Sequence, residues 1–171
     1  MADRNFSVLN YAMYEDKTEY LGMTEVSLPS LDSLTQKITG AGIYGEIEVV
    51  LAGQLSAMEM TINMSTLNKQ GVSLSAPRTH TWELREAQQA LDTENNMKIN
   101  KIKHIIKAVP KSLAAGTLKP NSTSDPKLTA SILSWQMFID NKLYLHVDPL
   151  NRICILDGVD YAAEINSALG K

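Results

Sequence analysis

Apolar and polar positions alternate along most of this chain, and alternation at period two predicts strands. The clearest case is residues 58–64, where Met58, Met60, Ile62 and Met64 alternate with Glu59, Thr61 and Asn63. That is the pattern of a strand with one buried face. Residues 46–51 predict another, with Ile47, Val49 and Leu51 on one side, and Gly53-Gln54 predicts the turn between the two. Residues 20–28 alternate loosely and stop at Pro29, and residues 31–39 carry Leu34, Gln36 and Ile38 on one face. Residues 128–139 alternate again, Ile132, Ser134, Gln136 and Phe138 against Leu133, Trp135, Met137 and Ile139. A turn at Asp140-Asn141 and a resumed pattern over 143–147 make that segment a predicted hairpin. A last apolar strand, 153–156, precedes a turn at Asp157-Gly158.

Helical signals are short. Residues 65–75 predict one or two turns closed by Pro77. Residues 161–169 predict a terminal helix with Ala162, Ile165 and Leu169 on one face, Asp160 as N-cap and Gly170 at the end. Residues 81–90 read two ways. Glu83, Leu84, Arg85, Glu86, Ala87 and Gln88 have high helix propensity, yet they form no amphipathic stripe. Across the turn cluster 92–96, residues 97–109 alternate in part and end at Pro110, so the first arm is either a hairpin strand or a helix. Residues 118–127 are polar, carry two prolines and predict a loop.

The length of 171 residues predicts a single domain, 1–171, with enough chain to bury its own core. A formal net charge of −3 gives no reason to expect binding to a nucleic-acid backbone. The single cysteine, Cys154, cannot close an internal disulfide, which fits a reducing compartment. Its setting, Ile153-Cys154-Ile155-Leu156, predicts a buried inert thiol rather than a nucleophile. Residues 1–5 lead into no long apolar stretch, so neither a secretory leader nor a membrane-spanning segment is expected.

Gly40-Ala41-Gly42-Ile43-Tyr44-Gly45 matches G-x-G-x-x-G letter for letter. In dinucleotide-binding proteins the last glycine opens a helix whose N-terminus holds pyrophosphate. Here a strand pattern with Glu46 and Glu48 follows instead, so the run predicts a loop between strands whose glycines permit positive φ or close approach. His80, His104 and His146 share no ligand spacing, and no second cysteine exists to complete a zinc site. Alternation places Glu46, Glu48 and Glu59 on solvated faces rather than in an acid/base pair. Lys101, Lys103 and Lys107 share a strand face without aromatic residues to stack bases, which predicts a solvated face or one that meets acidic neighbours. No catalytic residue, cofactor or metal site is expected.

Two blocks carry a resemblance. The first is Tyr20-Leu21-Gly22, Glu25, Leu28-Pro29-Ser30-Leu31, Ile38-Thr39-Gly40-Ala41-Gly42 and Gly45-Glu46-Ile47-Glu48. The second is Leu145-His146-Val147-Asp148-Pro149-Leu150-Asn151-Arg152-Ile153, Asp157-Gly158-Val159-Asp160 and the ending Ala168-Leu169-Gly170. In order and spacing over almost the whole chain, they resemble the major tail tube proteins of contractile-tailed phages and phage-tail-like bacteriocins.

The resemblance implies a mainly β fold, a β-barrel or sandwich with short helices including a C-terminal one, assembling as hexameric rings. It favours a strand over 81–90. It implies that rings stack into a hollow tube, and that an extended hairpin at about 31–50 reaches the next ring through Ile38, Gly40, Ala41, Gly42, Ile43, Tyr44 and Gly45. Glu46, Glu48 and Glu59 are the candidate lumen-facing acids. The implied partners are further copies of the chain, a tail sheath protein, a tape-measure protein, baseplate and tail terminator proteins, and DNA passing non-specifically through the lumen of a phage. The implied location is a virion tail or bacteriocin particle, assembled in the bacterial host cytoplasm. A tube protein of a type VI secretion or other contractile injection system is the related alternative, and a monomeric ligand-binding β-barrel is the alternative of another class.

Overall fold

A computed structural model describes residues 4–20 and 22–170, with backbone only for residues 4–6. Expectations that fall on residues 1–3 and on Leu21 lie outside the described residues. Strands dominate, as the alternation predicts. The first, β1 (Arg4–Glu15), was not foreseen. It is irregular, with register shifts between Asn5 and Ser7 and between Val8 and Asn10 that break the period-two signal. It turns at Asp16-Lys17, both at positive φ, into β2 (Thr18–Tyr20). Gly22, φ +78°, then separates β2 from β3 (Met23–Ser27), so the strand predicted over 20–28 is divided at that glycine.

The strands β4 (Ser33–Ile38) and β5 (Ile47–Leu55) form a separate two-stranded hairpin. Contrary to expectation, β5 runs through Gly53-Gln54, and the chain turns only after Leu55. Gly53 sits at positive φ within an irregular stretch of the ladder, so its residue type marks a bulge, not a turn. The strand β6 (Met58–Met64) buries all four of its predicted inward residues. A short helix, α1 (Lys69–Leu74), is capped by Asn68, whose side chain accepts from the Gly71 N–H at 2.8 Å.

The ambiguous arm is a strand, β7 (His80–Leu91). Its inward residues His80, Trp82 and Leu84 are buried, and burial at period two outweighs helix propensity. Its partner β8 (Met97–Ala114) does not stop at Pro110. The β7 ladder ends at the pair His80 and Ala108, so Pro110 lies on a free edge where no N–H is needed. The rest of the sheet is β9 (Lys127–Ile139), β10 (Lys142–Asp148), β11 (Ile153–Leu156) and β12 (Val159–Asp160). The tight turns Asp140-Asn141 and Asp157-Gly158 lie where predicted, all four residues at positive φ.

Strand order is β12-β11-β10-β9-β8-β7-β1-β2, with β6 and then β3 branching from β9. The branch point is a bulge. Ser134 pairs with Lys107 and Ile132 with Ala108, leaving Leu133 without an opposite residue. On its other edge β9 pairs β6 up to Ile132 and β10 from Trp135. The bulge also changes phase: Leu128, Ala130 and Ile132 enter the core before it, Trp135 and Met137 after it. The uninterrupted two-face alternation predicted for 128–139 is corrected accordingly. One core joins Met13 and Tyr20, at one end of the sheet, to Leu145 and Val147 near the other, with Met58, Met60, Ile62, Trp82 and Ile106 between. The sheet therefore curls back on itself, and α1 adds Leu74 to the same core.

The terminal helix α2 (Ala163–Ala168) is shorter than predicted. Asp160 is not its N-cap by position, although Asp160 Oδ1 accepts from the Ala162 N–H at 2.9 Å, and Gly170 follows at φ +71°.

Candidate functional site: a two-faced hairpin

The β4–β5 hairpin is the part of the molecule least explained by its own core. Cross-strand partners share a face of a sheet. Ile38 pairs with Ile47 and Gln36 with Val49, so Leu34, Gln36, Ile38, Ile47 and Val49 form one face. Lys37 pairs with Glu48 and Thr35 with Val50, so Thr35, Lys37, Glu46 and Glu48 form the other, with Val50 exposed at its base end. That polar face is internally satisfied. Lys37 Nζ is 2.6 Å from Glu46 Oε1, and Thr35 Oγ1 donates to Glu48 Oε1 at 2.6 Å.

The apolar face has no second layer over most of its length. Leu34 is 41% exposed, Ile38 39%, Ile47 49% and Val49 38%. Only the base is held. There Leu34, Gly53 and Leu55 border a groove of about 370 Å³ with Val147, Ile153, Ala162, Ile165 and Leu169. Gly53 permits this contact, because a Cβ on it would lie 2.9 Å from the Tyr161 carbonyl oxygen.

The tip carries the glycine run. Ile43 N–H donates to the Gly40 carbonyl at 3.1 Å, Gly42 and Gly45 adopt positive φ, and Tyr44 is fully exposed. No atom lies within 4 Å of where a Cβ would stand on Gly40, Gly42 or Gly45. Within the subunit Gly42 and Gly45 serve backbone conformation, not close approach. The run enters a strand, as the sequence predicts for a loop between strands.

The structure brings Glu46 and Glu48 together on the hairpin but places Glu59 apart, on β6, where it pairs with Lys111. The face of Lys101, Lys103 and Lys107 is the outer face of β8, and Lys103 Nζ stacks 4.9 Å over the Phe138 ring. Among the histidines, His80 and His104 are buried, and His146 Nε2 lies 3.1 Å from Gln136 Nε2. Cys154 is buried, and burial, with Asp160 nearby, pushes its thiol up. Among the described residues no group of His, Cys, Asp and Glu is placed to hold a metal ion, and no helix is long and apolar enough to cross a membrane.

Sequence reasoning missed a second feature, a gap between β1 and β3. Val8, Tyr11, Val26, Leu28, Glu86 and His104 surround a cavity of about 290 Å³ there. Trp135 Nε1–H donates to His104 Nδ1 at 3.3 Å, so the ring proton lies on Nε2. Nε2 has no hydrogen-bond partner; the nearest carboxylate, Glu86, is 3.6 Å away. Burial lowers the tendency of His104 to protonate, and Glu86 opposes this in part. The Tyr11 hydroxyl is likewise buried without a partner. No periodicity signals such a site, because it depends on strands brought together from distant parts of the chain.

Comparison with known proteins places these features in context. The pattern of the family described as phage tail tube protein FII matches residues 6–170. Among curated proteins, none matches the sequence. Among solved structures, the fold is similar to the sheath/tube terminator of an extracellular contractile injection system (PVC) in its extended state. That match has a TM-score of 0.55 and 11% identity over 78% of this chain and 96% of the other. It is also similar to the tube-terminating cap of the anti-feeding prophage, with a TM-score of 0.52, 11% identity, and coverage of 75% and 87%. A third similar chain comes from the PVC sheath-tube complex, with a TM-score of 0.51, 10% identity, and the same coverages of 75% and 87%.

Proposed function

Since this chain belongs to the phage tail tube protein FII family, we propose that it builds the inner tube of a contractile tail by forming hexameric rings that stack. The family is one of structural tail-tube proteins. The observation that carries the finer reading is the two-faced hairpin. A soluble subunit that leaves Leu34, Ile38, Ile47 and Val49 exposed on one face has a surface suited to a partner. In a stacked tube that face lies against the next ring, with Ile38, the loop Gly40-Ala41-Gly42-Ile43 and Tyr44-Gly45 at the contact. The opposite face then presents Glu46 and Glu48 to the lumen, with Lys37 offsetting Glu46 there as Lys111 offsets Glu59 on β6, so Glu48 carries the unbalanced charge. An acidic wall lets a polyanion pass without adhering.

A sheath surrounds such a tube, a tape-measure protein sets its length, and baseplate and terminator proteins close its ends. The cargo is DNA in a phage, and in a bacteriocin the tube itself punctures the target. The particle is assembled in the host cytoplasm. A second reading, a tube of a contractile injection system, draws on the origin of the three similar structures in such systems. Negative-stain microscopy of concentrated purified protein tests the assembly: rings and tubes are expected, and a stable monomer of 18.9 kDa overturns it. DNA in intact particles separates the phage reading from the other two.

A further inference from the structure

The gap between β1 and β3 and the hairpin face are each incomplete alone, and their chemistry is complementary. Among the described residues, strand β1 is covered by β2 only at residues 13–15 and β3 pairs only with β6, so both walls of the gap are free strand edges. The rim is apolar, Val8 and Leu28 both being exposed. The floor offers two donors without acceptors, the Tyr11 hydroxyl and His104 Nε2–H, and His104 is only 3% exposed. Glu25 and Glu86 also line the cavity, so an anionic occupant is repelled. The fitting occupant is a neutral group that both accepts and donates hydrogen bonds, set within apolar surroundings.

The hairpin carries such a group. Gln36 stands between Leu34 and Ile38, across from Val49, on the face that has no carboxylate. Among the described residues its side-chain amide has no hydrogen-bond partner. We propose that the β1–β3 gap receives the apolar face of the β4–β5 hairpin from a second copy of this chain, with the Gln36 amide entering between Tyr11, His104 and Glu86. The amide oxygen accepts from Tyr11 or His104, its NH₂ donates to Glu86, and Leu34 and Ile38 cover Val8 and Leu28. Knob and hole lie on different parts of one chain, so the contact can repeat head-to-tail from subunit to subunit. The inference rests on the stacking reading above and names the surface that receives the hairpin.

The test pairs Gln36→Cys with Val8→Cys, Thr24→Cys or Val26→Cys in turn, in a chain whose one native thiol is buried. Folding of each variant is checked by circular dichroism, and assembled material is oxidised and run without reductant. A ladder of linked subunits in at least one pair, absent from every single variant and collapsed by reductant, is expected. Tubes without any ladder overturn the proposed receiving surface and leave stacking intact; folded wild-type protein that never assembles overturns both. A second measurement needs no cross-link: Tyr11→Phe with Gln36 intact should raise the critical concentration for assembly about three- to tenfold, the effect of one lost hydrogen bond. In Gln36→Leu the same Tyr11→Phe change should have little effect; equal effects in both backgrounds count against the contact.

Discussion

Glu15 Oε1 lies 2.6 Å from His80 Nδ1, and the pair is sealed inside the molecule. His80 Nε2 donates to the Ala76 carbonyl at 3.0 Å, and the Tyr20 hydroxyl donates to Glu15 Oε2 at 2.5 Å. Burial, then Glu15, pushes the Tyr20 hydroxyl well above its ordinary range, so it stays a donor. The network ties β1, β2 and β7 together where α1 leads into β7. Glu15→Ala removes the buried partner of both His80 Nδ1 and the Tyr20 hydroxyl and is expected to destabilise the subunit by about 3 kcal/mol. Tyr20→Phe removes one bond to a charged group and should cost about 2 kcal/mol. Urea unfolding of the unassembled subunit measures both, and a neutral Glu15→Ala would contradict this account.

His104 gives a pH dependence. Burial is the larger effect and lowers its affinity for protons in the folded state, while Glu86 partly restores it. The unfolded chain therefore binds a proton there that the folded chain refuses. The contribution of neutral His104 is fully present above about pH 6.5, the ordinary histidine value, and is lost as pH falls below it. His104→Gln should flatten the stability profile between about pH 5 and 6.5 relative to the parent. Thermal melts across that range would show it, and parallel profiles would argue otherwise.

Removing residues 36–45 takes away the outer part of a hairpin that shares no ladder with the main sheet. The shortened subunit is expected to keep its core and its circular dichroism signal but to form no long tubes. Tubes of parental length in electron micrographs would exclude a stacking role for the hairpin.

Two glycines of the hairpin should respond differently to alanine. At Gly42, φ +90°, the surroundings are open, so Gly42→Ala costs only the left-handed conformation, about 1 kcal/mol. At Gly53, φ +65°, the new Cβ also meets the Tyr161 carbonyl at 2.9 Å. Gly53→Ala should therefore cost more, about 2–3 kcal/mol, and loosen α2 from the hairpin base. Chemical denaturation compares them, with faster amide exchange over α2 as the local signature.

What could be read from the sequence depended on whether one face of one strand held the information. The run from Met58 to Met64 was legible because each inward residue is buried in a regular ladder. The turns at Asp140-Asn141 and Asp157-Gly158 were legible because their residue types tolerate positive φ. The strand β1 was not, because two register shifts scramble its alternation. Residues 83–88 carry helix formers, and only the pairing of β7 with both β1 and β8 overrides them. The hairpin was legible as a loop joining strands, but its division into an apolar and a polar face needs the register, which pairs Ile38 with Ile47. Tyr11, Glu86 and His104 belong to separate strands, and nothing in their spacing announces that they meet.

Leu133 is a single residue without an opposite number, yet it sits where β9 stops holding β6 and starts holding β10. It works as a wedge driven into a shared rib, and the splay of the two half-sheets follows from it. Deleting Leu133 would do more than shorten a strand. It would set Ile132, Ser134 and Trp135 one for one against Ala108, Lys107 and Ile106, keep Trp135 facing the core and straighten the rib. In a closed ring each subunit repeats its own curvature, so an angle set by one residue is multiplied around the whole circumference. The bore of any such ring would then be governed in part by a single extra residue in one strand.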